Sequence, residues 1–143
     1  MSKSELRALA VHPSGQHEVV DLNRKGSQLE AMYEIIGCRM VEYRVLGAGI
    51  TAWWDEEFLV RNDAEPEPNF PGSIMACTLA EVPEFPMIHG TMIFILMEDD
   101  GEGDFFSMPD ETLEKMKEIA DLSLQHTAQP WRDSIHEAKR REN

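Results

Sequence analysis

The segment Met-Ile-His-Gly-Thr-Met-Ile-Phe-Ile-Leu-Met, from Met87 to Met97, most constrains the fold. Past Thr91 its residues are apolar at odd and even positions alike. A strand built from them buries both faces and belongs at the centre of a sheet, whereas a half-solvated antiparallel strand would alternate. The continuous part, Met92 to Met97, is far too short to cross a bilayer.

Other segments supply partners for such a strand. Leu6 to Val11 and His17 to Leu22 read as a hairpin turned at Pro13-Ser14-Gly15-Gln16. Cys38 to Leu46 and Ile50 to Val60 read as a second, turned at Gly47-Ala48-Gly49. If Leu46 pairs with Ile50, Tyr43 lies opposite Trp53, Val45 opposite Thr51 and Val41 opposite Asp55. On the other face Glu42 then lies opposite Trp54, and Arg44 opposite Ala52. A slip of one residue would exchange the faces. Phe105-Phe106 returns from an acidic turn at residues 98–104.

Helices are marked by their ends. Ser27-Gln28-Leu29-Glu30 fits a capping box, Leu29, Met32, Tyr33 and Ile36 form one stripe, and Gly37 stops the helix. Ser73 to Leu79 reads as one or two helical turns, with a short strand as the alternative. Asp110 can cap a helix from Glu111 to about Gln125, whose apolar face is Leu113, Met116, Ile119, Ala120 and Leu122. Prolines 66, 68, 71, 83 and 86 mark loops. The reading is one α+β domain over residues 1–128, a mostly antiparallel sheet with helices packed on one face, and a tail over 129–143 in which Ser134 can cap a short basic helix.

The chain of 143 residues carries a net charge of −14. From Asp55 to Asp121 there are eighteen acids against three bases, or −15, and the remainder has nine against ten, or +1. Such a surface does not displace counterions from nucleic acid, and it repels an anionic membrane. The first residues lack an apolar run after their charges, so no signal peptide is expected. Cys38 and Cys77 fit no metal or disulfide spacing and read as reduced thiols in a cytoplasm.

A helix ending in Gly37, a Val41-Glu42 strand, a hairpin ending in Asp55-Glu56-Glu57, a loop closing on Pro68-Asn69 and a Gly90-to-Ile95 strand follow one another in order. Over roughly Val11 to Leu96 this order resembles a family of small proteins, common in bacteriophages and mobile elements, known only as a domain of unknown function. The matching positions are Gly37, Glu42, Asp55, Glu56, Asn69 and Gly90. The family usually turns the chain with Gly after the acidic pair, where this sequence has Glu57-Phe58. The resemblance implies an accessory protein in the cytoplasm of a bacterial host, and no particular activity.

Candidate chemistry is sparse. Asp55, Glu56, Glu57 and Glu42 offer hard oxygen ligands, but no calcium-loop pattern is present, and the plainer reading is a solvated face around Arg44. The histidines lack zinc spacing. His89 can serve as a base with Asp55 as its orienter, against the plainer reading of a structural histidine. Trp53 and Trp54 point to opposite faces, so one is covered by a helix or exposed as a contact anchor. The sequence therefore predicts a non-enzymatic protein, with no cofactor, metal or catalytic residue, that binds a host protein or small ligand. The expected surface is Trp54, Asp55, Glu56 and Asn69. The alternatives are an acidic decoy that mimics DNA, and a metal-dependent hydrolase using Asp55, Glu56 and His89.

Overall fold

In the computed structural model the described residues are 5–24, 26–57, 67–98 and 103–128, with side chains described to residue 125. Along the chain lie β1 (Arg7–Val11), β2 (His17–Asp21), α1 (Gln28–Ile36), β3 (Val41–Gly47), β4 (Ile50–Asp55), α2 (Phe70–Ala80), β5 (Met92–Met97), β6 (Phe105–Phe106) and α3 (Asp110–Ala128). The sheet order is β2-β1-β5-β4-β3, all pairings are antiparallel, and β6 pairs with the end of β5. Every residue of β5 is buried, as a strand apolar on both faces requires.

Alternation along β1, β4 and β5 divides the core in two. Leu9, Val11, Trp54, Met92 and Phe94 face α2 and α3, meeting Met75, Ala76, Leu113 and Met116. Ala8, Ala10, Trp53, Ile93 and Ile95 face α1, meeting Ala31 and Met32. The predicted α+β domain with helices layered on one face thus describes α2 and α3, while α1 closes the opposite face. It must, because β5 has no polar side to leave in water.

The second hairpin has the predicted pairs from Val41↔Asp55 to Val45↔Thr51, but Gly47, not Leu46, pairs with Ile50. A bulge at Leu46 absorbs the extra residue and leaves the faces unchanged. Tyr43 stacks on Trp53 with ring centroids 4.3 Å apart, an arrangement worth roughly 0.5–1.5 kcal/mol beyond area burial.

In α1 the Ser27 side chain accepts from the Glu30 backbone N–H at 3.1 Å, and Gly37 takes the left-handed conformation that ends the helix. The stripe is shifted from the predicted one. Ala31, Met32, Ile35 and Ile36 pack on the sheet, whereas Leu29 is 41% exposed. In α3, Asp110 lies inside the first turn and bonds Arg7 rather than capping, and Leu122 is exposed. Residues 58–66, most of the acidic turn (99–102) and the tail 129–143 lie outside the described residues.

Candidate functional site

The four residues expected to form a surface do not share one. Trp54 is 3% exposed, sits in the core edge-on to Phe85, and donates its indole N–H to Glu42 Oε1 at 2.7 Å. Asp55, also 3% exposed, accepts from the Glu57 backbone N–H at 2.8 Å. Glu56 alone is exposed. Beside it, Arg39 makes a two-pronged contact with Glu57, at 2.8 and 3.0 Å. That hydrogen bond, then the Glu57 charge, hold the guanidinium above its ordinary pKa; desolvation opposes them, and Asp55 adds a smaller push.

Asn69 is fully buried and is the N-cap of α2. Its Oδ1 accepts from Gly72 N–H at 2.9 Å, and its Nδ2 donates to the carbonyls of Val11 at 2.9 Å and Gly90 at 2.8 Å. One amide thus ties α2 to β1 and to the lead-in of β5. Its backbone N–H donates to Ile88 O, while Pro68 pairs with His89. Gly72 is required here by close approach, since a Cβ would stand 2.6 Å from Met92 Sδ and 2.9 Å from Asn69 Oδ1. Pro71 is tolerated in this first turn, where no intrahelical N–H is needed. Asn69 is therefore a structural knot, a helix cap with two further bonds that only the fold supplies.

No three His, Cys, Asp or Glu residues among the described residues are grouped to hold a metal ion. Of the residues read as a hydrolase constellation, Asp55 accepts from the Glu57 backbone N–H, His89 lies in a backbone bridge with Pro68, and Glu56 is exposed.

Two clefts were not foreseen. One, of about 410 Å³, lies at the tip of the first hairpin, where His12 meets Thr91 Oγ1 (2.9 Å) and Glu18 (3.2 Å), and His17 meets Asp121 (3.0 Å). The second, of about 400 Å³, lies between α2 and the strap 82–88. Ile74, Cys77 and Thr78 line its helical side and Pro83, Phe85 and Met87 its strap side, with Ser73 and Glu84 completing it. Ser73 Oγ accepts from Ile88 N–H (2.9 Å), and Cys77 Sγ bonds Val82 O (3.1 Å), so both ends of the strap are pinned to the helix. The helix ends at Glu81, a non-glycine residue at φ 54°, and the turn there sends the strap back along α2. The signal in the sequence was the apolar character of α2 on all sides, which leaves apolar surface beyond what the sheet and α3 cover.

No helix among the described residues is long and apolar enough to cross a membrane. No curated protein and no solved structure matches this chain. A family model does match, from residue 6 to residue 121, which extends the resemblance seen between Val11 and Leu96 to include β1 and the first part of α3. The chain belongs to that family, described as Domain of unknown function (DUF3846).

Proposed function

We propose that this protein binds a small ligand in the cleft between α2 and the strap 82–88, as an accessory protein of a bacteriophage or mobile element in a bacterial cytoplasm. The observation that carries the reading is the cleft itself. Its volume of about 400 Å³ falls within the range of small-molecule pockets, roughly 300–1,000 Å³. Its lining combines apolar and aromatic side chains with a few polar atoms, the composition that holds an organic body and orients it. The pinned strap favours binding further, because a wall already held loses little freedom when a ligand docks. The host protein named as an alternative partner has no comparable feature in its favour, since Trp54, Asp55 and Asn69 are buried.

The test is a thermal-shift screen of small metabolites against the wild type and Thr78→Trp, a substitution at an exposed position that fills the cleft. A ligand present at about 100 times its Kd should add roughly 2.7 kcal/mol to the wild type and nothing to the variant. Ligands that stabilise both proteins equally would place binding elsewhere and end this reading.

A further inference from the structure

Among the described residues of this acidic protein, every basic side chain but one is paired with a carboxylate. Arg7 bonds Asp110, Arg24 bonds Glu34, Arg39 bonds Glu57, Lys115 meets Glu111 and Lys117 meets Glu114. Arg44 has no carboxylate partner among the described residues. Its guanidinium lies 5.0 Å from the centroid of the Phe85 ring, and Phe85 is part of the cleft wall. Two strand positions away on the same face, Glu42 spends an oxygen on the Trp54 indole.

From this juxtaposition we infer that the ligand of the α2 cleft is an apolar, ring-bearing anion, whose body lies on Phe85 and whose carboxylate, sulfonate or phosphate reaches Arg44. The inference rests on the cleft reading and adds the charge of the ligand. A guanidinium held over an aromatic ring by cation–π attraction spends none of its N–H donors on the ring, so the donors are left for an oxyanion. A planar oxyanion is the partner that such a fork fits best. The apolar wall of Ile74, Pro83 and Met87 selects the body. Glu84, also in the lining, disfavours a second negative group on the same ligand and sets the preference at one acidic head. The field of the whole chain, at −14, opposes any anion. Preference for an anion over its neutral counterpart must therefore come from a local cation.

Two fluorescent probes share one ring system and differ in charge: 8-anilinonaphthalene-1-sulfonate and the neutral N-phenyl-1-naphthylamine. Titration of the folded wild type should show tighter binding of the sulfonate. Arg44→Gln should weaken the sulfonate roughly three- to tenfold, the range for a partly exposed charge-assisted contact, and leave the neutral probe unchanged. Arg44→Lys should restore part of the loss, and Thr78→Trp should block both probes. Circular dichroism of each variant separates these effects from unfolding. If both probes bind equally, are blocked by Thr78→Trp and ignore Arg44→Gln, the anion inference falls and the cleft reading stands. If Thr78→Trp leaves both probes bound, or neither probe binds the wild type, both fall.

Discussion

The two ends of α2 solve opposite problems. At its N-terminus Asn69, Gly72 and Ser73 are buried and hydrogen-bonded to their surroundings, with no space for one added methyl at Gly72. Toward its C-terminus Ile74, Cys77 and Thr78 line the cleft, which Ser73 borders at its inner limit, and the helix stops on a left-handed glutamate. Polar residues at a saturated end serve the fold, and space at an unsaturated end is available to something else. The comparison teaches that a polar residue in a stiff, proline-rich neighbourhood is not thereby a contact residue: Asn69 has given every polar atom of its side chain to the chain itself.

Substitution at the saturated end should have the largest effects. Asn69→Asp removes two N–H donors and directs a carboxylate at the Val11 and Gly90 carbonyls, at a cost of roughly 3–5 kcal/mol near pH 7, as for an uncompensated buried charge. The unfolded chain holds this acid near its ordinary pKa of about 3.9, and burial raises it in the folded state. The deficit should therefore be smallest below the lower value and grow as the pH rises toward the higher one. Urea melts at several pH values measure this, and a pH-independent deficit would mean that the corner admits water. Asn69→Ala should cost roughly 2–4 kcal/mol, more than the loss of a cap alone, because two carbonyls are orphaned as well.

Gly72→Ala comes next. The added Cβ collides with Met92 Sδ and Asn69 Oδ1, and overpacking of this kind costs roughly 1–3 kcal/mol. A melting temperature equal to the wild type's would show that the corner has slack, and the contrast between the two ends would dissolve.

The other end should respond with smaller changes. Glu81→Gly relieves a side chain held at φ 54° and should raise stability by about 0.5–1 kcal/mol in denaturant melts. A loss would mean that the Glu81 side chain supports the strap. Arg44→Gln should alter stability by less than about 0.5 kcal/mol, since the side chain is exposed and bonded to no carboxylate among the described residues. A larger loss would make its stacking on Phe85 part of the fold rather than of a site.

Much of this architecture was legible because it is local. Ser27, Glu30 and Gly37 bracket α1 within eleven residues, and the β3–β4 pairs follow from a short turn. Even the bulge at Leu46 left the predicted faces intact. What could not be read depends on distant partners. Asn69 finds its acceptors on Val11 and Gly90, and nothing in its own neighbourhood announces them. The facing of Trp54 and Glu42 was legible from the hairpin, but Trp54 was available as an anchor until Phe85 met it from across the fold. The shifted stripe of α1 has a related cause: Ala31 fits close against β5, where the larger Leu29 is not needed. The cleft is a shape, set by where the strap returns along α2; the apolar character of α2 signals surplus apolar surface but not where the strap will lie.

The strand order has a consequence for how the chain is made. β1–β2 and β3–β4 are local hairpins, each able to close in about 1–10 µs once synthesised. Neither has its inner neighbour until β5 exists, because β5 is inserted between β1 and β4. Translation at roughly 5–20 residues per second leaves a few seconds between completion of β4 and of β5. Through that interval the inner edges of β1 and β4, with buried-type residues such as Leu9, Ala10, Ala52 and Trp53, lie open to pairing with other chains. Arrival of the most apolar strand closes both edges at once, so two unprotected hairpins join into one sheet in a single late step, with only the short β6 left to add.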